Sequence, residues 1–139
     1  MSNKSLGTAF EEELAEILHQ HGYWVHLLRQ SEAGQPADMI AVHNQHAFLI
    51  DAKVCSNDSF PLSRIEENQE LAMRAWAAAG NDSPWFALKT SDGIFMLPYS
   101  YFFRVKQWGG VKSLSRSGIK RWGFALEEWL KEWGETDES

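Results

Sequence analysis

The stretch "ADMIAVHNQHAFLIDAKV", residues 37–54, decides how this 139-residue chain folds. It reads as two adjacent strands of a buried sheet, "DMIAVH" (38–43) and "HAFLIDAKV" (46–54), joined through Asn44 and Gln45 in a tight hairpin. Yet this most apolar segment carries Asp38, Asp51 and Lys53, and buried charges are costly unless paired, metal-bound or displaced to a rim. Side chains alternate along a strand, so Asp51 and Lys53 project from one face, Ile50 and Ala52 from the other. The hairpin register places Asp38 beyond the residue that faces Lys53, near the open end where the lysine emerges. The three groups then converge at one rim. Two carboxylates a few ångströms apart repel unless a cation lies between them, and hard oxygen ligands with open positions suit Mg²⁺ or Mn²⁺. A lysine beside them can orient an attacking water and offset charge developing on a phosphate. The plainer reading is an Asp51–Lys53 ion pair with Asp38 capping a turn after Pro36. A bare Asp-x-Lys is common by chance and does not decide between the two.

On the N-terminal side, residues 6–21 form an amphipathic helix with Phe10, Leu14, Ile17 and Leu18 on one face, ended by Gly22. "YWVHLL" (23–28) is a strand and "SEAGQPA" (31–37) a polar loop. On the C-terminal side, "SNDSFPLS" is a loop, and "SRIE" matches a capping box with Ser63 as the cap and Glu66 answering it. The helix it starts runs to about Ala79 and stops at Gly80-Asn81. "WFALKT" and "IFML", joined through Ser91-Asp92-Gly93, form a second hairpin. A short helix covers "YSYFFRVKQ", "GGVKSLSRSG" is an exposed basic loop or short strand, and a Trp-rich helix spans 119–133. The predicted class is α/β: one domain over residues 1–139, with a mixed sheet of about five strands flanked by helices.

The single cysteine, Cys55, excludes an internal disulfide framework and fits a reducing cytosol. No run reaches the length of a membrane span, and the start "MSNKSLGTAF" lacks the apolar core of a signal peptide, so a cytoplasmic protein is expected. The net charge of −6 argues against a nucleic-acid partner, but its distribution does not. From Gly93 to Leu126 there is no acid, while Arg104, Lys106, Lys112, Arg116, Lys120 and Arg121 supply six positive charges. Such a block can attract phosphates on an acidic protein, and equally it can be a solvated basic edge.

Two further residues bear on the Asp38–Asp51–Lys53 rim. Glu11 sits one residue's turn from the apolar stripe of the first helix and can reach inward toward the sheet, with Glu13 at the opposite edge as its rival. The bland alternative is that Glu11, Glu12 and Glu13 complement the helix dipole. Gln69 falls on the buried face of the second helix with Ile65, Ala72, Met73 and Trp76. There it is either a satisfied core amide or a contact to a metal-bound water or a DNA backbone. The five histidines form no zinc set, and no Gly-rich phosphate loop is present.

The order "GTAFEEELAEIL", "GQPADMIAV", "FLIDAK", "FPLSRIEENQ" resembles the PD-(D/E)XK nuclease superfamily, and within it the RecU-type Holliday-junction resolvases and their archaeal relatives, over residues 7–121. "GGVKSLS" is similar to a basic loop of the same family. The resemblance implies a restriction-endonuclease-like core and a Mg²⁺-dependent endonuclease, with Mn²⁺ as substitute, that leaves a 5′-phosphate. By it, Glu11, Asp38, Asp51, Lys53 and Gln69 are catalytic, and Asp38, Asp51 and the carbonyl of Ala52 hold the metal. Arg29 and Ser31 contact the DNA backbone, alongside Lys112, Arg116, Lys120 and Arg121 of the basic block. The substrate implied is a four-way or otherwise branched DNA, cut in pairs by a homodimer in a bacterial or phage setting. Where RecU-type enzymes project a stalk before the first motif acid, this chain has only the short loop 29–37. Alternatives are a nicking, restriction-like or repair endonuclease on duplex DNA, or a catalytically silent DNA-binding protein.

Overall fold

A computed structural model describes residues 3–28 and 37–134. Helix α1 (Asn3–Gln20) leads into strand β1 (Trp24–Leu27), which pairs antiparallel with β2 (Met39–His43); β2 in turn pairs with β3 (His46–Val54). The hairpin turn is as predicted, with Asn44 and Gln45 both in left-handed backbone (φ 49° and 71°). Between β1 and α1, Gly22 at φ 87° ends the helix, and a Cβ there would press to 3.1 Å from His43. The chain then crosses the sheet through the short strand β4 (Phe60–Pro61), a 3₁₀ turn (Leu62–Arg64) and α2 (Glu67–Ala78). This crossover allows β5 (Trp85–Thr90) to lie parallel to β3. Next come β6 (Gly93–Pro98), α3 (Tyr99–Trp108), β7 (Ser113–Leu114), α4 (Arg116–Trp122), β8 (Phe124–Ala125) and α5 (Leu126–Trp129), the last running into a π-helical turn (Leu130–Gly134).

The main sheet has the order β1-β2-β3-β5-β6-β8, and β4 pairs with β7 in a two-stranded ladder beside it. Alternation along β3 divides two cores. Phe48, Ile50 and Ala52 pack with Phe10, Leu14 and Leu18 of α1 and Trp129 of α5. Leu49 packs on the opposite face in a layer that includes Met73 of α2, Phe102 of α3 and Ile119 of α4. Asp51 and Lys53 share that second face, as the period of two requires.

Three expectations need correction. The helix predicted over 119–133 is divided: Gly123 is extended, and Phe124–Ala125 joins the edge of β6, bringing the sheet of about five strands to six. A Cβ at Gly123 would lie 2.6 Å from the Ile119 carbonyl and 2.9 Å from Leu97, so only glycine fits this close approach. The capping frame is also shifted by one turn. Glu66, not Ser63, is the cap of α2, and Gln69 answers it, while Ser63 lies in the 3₁₀ turn. Finally, α1 begins at Asn3, so Glu11, Glu12 and Glu13 stand beyond its first turn and do not complement the N-terminal dipole.

Candidate active site

Because Met39 faces Ile50, the next residue, Asp38, stands across from Asp51 rather than beyond the partner of Lys53. Its backbone N–H donates to the Ile50 carbonyl (3.1 Å), and its Oδ2 accepts from the Ala52 N–H at 2.7 Å. That second bond fixes the carboxylate beside Asp51. Asp51 is fully buried. Lys53 Nζ lies 3.2 Å from Asp51 Oδ2, an ion pair whose geometry leaves that oxygen without an aligned hydrogen bond. On the other side, Gln69 Nε2 donates to Asp51 Oδ1 at 3.0 Å.

Gln69 has both ends engaged. Its Oε1 accepts from the Glu66 N–H at 3.3 Å, the capping contact of α2, while its amide nitrogen holds Asp51. The cap that starts the helix thus also orients the most buried acid. Glu11 reaches Asp38 from α1, within hydrogen-bonding range. Its rival Glu13 turns the other way, to Lys89 at 2.5 Å.

Three acids therefore crowd one lysine. Burial, the contact with Asp38 and the charges of Asp38 and Asp51 push the Glu11 carboxyl up to about 8, with Lys53 pulling the other way. Burial and the Asp38 charge likewise raise Asp51 well above the ordinary carboxylate range, only partly offset by Lys53. Glu11, Asp38 and Lys53 open into a cleft of about 750 Å³, with Asp51 buried behind them. Ser56, Asn57, Ser59 and Arg64 also line it. Ser56, Asn57 and Ser59 belong to the polar loop "SNDSFPLS" after the Asp-x-Lys strand, and Arg64 to the 3₁₀ turn at its end. The polarity of that loop, directly after the acid-x-Lys strand, was the available signal. Arg64 donates to the Val54 carbonyl at 2.7 Å and lies over the Phe60 ring at 5.6 Å.

The basic block is divided in use. Arg116 is clamped by Asp92 through two bonds, 2.6 and 2.7 Å, with Asp58 4.0 Å away, and Lys120 approaches Asp92 at 4.0 Å. Lys106 pairs with Glu70 at 2.7 Å, and Arg121 lies over the Trp122 ring at 5.1 Å. Lys112 is carried to the cleft rim, where its carbonyl accepts from the Leu62 N–H at 2.9 Å beside the β4–β7 ladder. Arg29 and Ser31 lie outside the described residues. The histidines have other employment: His43 bonds to the Gly22 carbonyl at 2.9 Å, and His46 to Asp82 at 3.0 Å.

The fold has a known counterpart. The solved structure of Hjc from Archaeoglobus fulgidus, a Holliday junction resolvase from an archaeal hyperthermophile, superposes with a TM-score of 0.68. It does so at 16% identity over 88% of this chain and 98% of that one, a likeness of fold. No match is found among curated proteins. The family model described as "Recombination protein U" matches residues 28–131, and the chain belongs to the RecU family.

Proposed function

We propose that this protein resolves Holliday junctions by divalent-metal-dependent hydrolysis of DNA phosphodiesters, with the cleft over Asp38, Asp51 and Lys53 as its active site. RecU is a Holliday junction resolvase family, and its members are endonucleases. The observation that carries the site assignment is the crowding of three acids around one lysine, with Glu11, Asp38 and Lys53 lining an open cleft and Asp51 buried beneath them. A structural ion pair needs one acid for one lysine. Two acids more, all desolvated, fit a site that accepts a doubly charged cation.

The donor set suits Mg²⁺ or Mn²⁺. Asp38 and Asp51, with the Ala52 carbonyl, would hold the cation; among the described residues no group of three His, Cys, Asp or Glu side chains is arranged to do so. A bound cation supplies Lewis-acid polarisation of the phosphate and lowers the pKa of water. Lys53 orients the attacking water and offsets the charge that builds on the phosphoryl oxygens. Gln69 keeps Asp51 in place, and Glu11 holds or releases a proton beside Asp38. Lys112 and Arg64 at the rim meet the DNA backbone. Paired cuts in a two-fold symmetric junction require two such sites and hence a homodimer. The compartment is the cytoplasm, where the DNA is; among the described residues no helix is long and apolar enough to cross a membrane.

The test is cleavage of a labelled four-way junction beside its matched linear duplex, with Mg²⁺ or chelator, by wild type and Lys53→Ala. Symmetric metal-dependent cuts confined to the junction and lost in the variant are expected. Equal cutting of the duplex removes the junction role, and cutting that survives Lys53→Ala removes the active-site assignment.

A further inference from the structure

We propose that the outer side of α3 and α4 is a stacking platform for unpaired DNA bases, continuous with the rim of the cleft. Tyr101, Arg104 and Trp108 recur at helical spacing along one stripe of α3. Trp108 at its end is 75% exposed, more than any other large apolar side chain among the described residues. The neighbouring α4 extends the stripe: the Trp122 ring, 50% exposed, stacks on Tyr101 at 5.7 Å and 26°, with the Arg121 guanidinium 5.1 Å from its centroid. Aromatic faces thus alternate with guanidinium groups, the pattern that holds single strands without reading their sequence.

The remaining sides of α3 are engaged. Phe102 and Val105 are buried, Phe103 lies under Arg74 at 4.6 Å, and Lys106 pairs with Glu70. From Tyr101 to Trp108 the helix rises ~10 Å, room for about three stacked bases at roughly 3.4 Å each. The stripe also has a direction. Beyond Trp108, Gly109 and Gly110 take left-handed backbone (φ 69° and 81°) and turn the chain to Lys112. There the Leu62 N–H bond and the β4–β7 ladder join it to Pro61 on the cleft wall. A strand unpaired beside the scissile bond can therefore leave the cleft across Lys112 onto Trp108.

Charge selects the occupant. Lys106 is paired with Glu70, but among the described residues Arg104, Lys112 and Arg121 form no ion pair, so phosphates meet three uncompensated charges along the stripe. A second copy docked on this face by a two-fold axis would bring Arg104, Arg121 and Lys112 against themselves, which opposes self-association there. Duplex DNA offers only base edges, whereas an exposed indole matches the open π-face of an unpaired base.

The platform rests on the nuclease reading for the identity of its ligand, so the experiment uses equilibrium binding in chelator, where no cleavage enters. Fluorescence anisotropy is measured on labelled oligothymidine of roughly 12 nucleotides, with a blunt hairpin duplex as reference. Trp108→Ala is expected to weaken oligothymidine binding about 10-fold and duplex binding by less than about twofold. Trp108→Phe restores most of the loss, Trp122→Ala gives a smaller one, and unchanged melting temperatures show that the variants are folded. Equal losses for both DNAs, no loss for either, or a Trp108→Ala effect on dimer dissociation in sedimentation instead of on DNA would each overturn the proposal. None of those outcomes bears on junction cleavage, and failure of cleavage leaves the binding result standing.

Discussion

Two clusters of carboxylates flank the β3–β4 segment, and they are opposites. In the cleft, Glu11, Asp38 and Asp51 share one lysine, are largely desolvated, and the carboxyls of Glu11 and Asp51 are pushed upward. At the far side of the loop, Asp58 and Asp92 are partly buried but saturated. Ser91 donates to Asp58 through both its N–H (2.8 Å) and its hydroxyl (2.6 Å), and Arg116 grips Asp92. The serine contacts hold Asp58 below the ordinary carboxylate range, and the guanidinium does the same for Asp92. The second cluster is complete as it stands and ties the loop to the β5–β6 turn. The first is short of positive charge, which is the ground for proposing a cation there. A shortage of positive charge at buried acids, rather than acidity itself, separates a reactive site from a staple.

The largest expected effect lies in the deficient cluster. Lys53→Ala or Asp51→Asn should lower junction cleavage by roughly 10³-fold, within the range for groups that act in the transition state. Stability should split the two variants in metal-free buffer. Lys53→Ala removes the one counter-charge and lowers the melting temperature, whereas Asp51→Asn removes a repelling charge while keeping an acceptor for Gln69, and raises it. Thermal melts of both variants in chelator check this, and a drop in both would mean that Asp51 is a structural ion-pair member.

Metal and pH sharpen the contrast next. The folded chain retains protons on Glu11 and Asp51 that the unfolded chain releases in the ordinary carboxylate range. Between about 4.5 and about 8 the native state therefore binds more protons, so metal-free stability falls as pH rises through that window. Glu11→Gln should flatten this slope. Cation binding must displace those protons and so stabilises more at the alkaline end. At roughly 100 times its Kd, Mg²⁺ would add about 2.7 kcal/mol, on the order of 10 °C in melting temperature. Melting curves with and without Mg²⁺ across this range supply the check.

A smaller effect is expected where the helix cap meets the site. Gln69→Ala removes both the hydrogen bond to Asp51 and the capping contact to Glu66, costing about 1–2 kcal/mol of stability. Turnover should fall on the order of 10-fold with the KM for junction DNA unchanged, because Gln69 positions Asp51 and is not placed on the substrate. Steady-state kinetics separates the two constants, and a rise in KM alone would make Gln69 a DNA contact.

Most of the fold was legible because it depends on local signals. The hairpin at Asn44-Gln45, the alternation along 46–54 and the stop at Gly22 are encoded within a few residues. The misses needed information from distant parts of the chain. Helical spacing of Trp122, Leu126, Trp129 and Trp133 masked the break at Gly123, where a side chain would meet Leu97 on another strand as well as the Ile119 carbonyl. Ser63 and Glu66 satisfied one capping pattern and Glu66 and Gln69 another. Tertiary contact between Gln69 and Asp51 favours the second. The crowding of Asp38 and Asp51 was readable from register, and that of Glu11 from its helix edge. The choice between Glu11 and Glu13 was not, since it turns on Lys89 standing on the far side.

The smallest expected effect tests the saturated cluster. Arg116 belongs to a basic block suited to phosphates, yet its guanidinium is already occupied twice by Asp92. If it is a staple, Arg116→Ala and Asp92→Asn remove the same contact and act alike. Both should speed amide exchange at Ser91, whose N–H is held by Asp58 in the same cluster, and both should leave junction affinity nearly unchanged, with the exchange effect shrinking in high salt. If the guanidinium instead serves DNA, the variants must diverge: Arg116→Ala weakens binding and Asp92→Asn, by freeing the arginine, tightens it. The geometry favours the first outcome, because a bidentate carboxylate partner satisfies the planar fork that a phosphate would need. Opposite signs in the two affinities would move Arg116 from the staple to the DNA-binding surface.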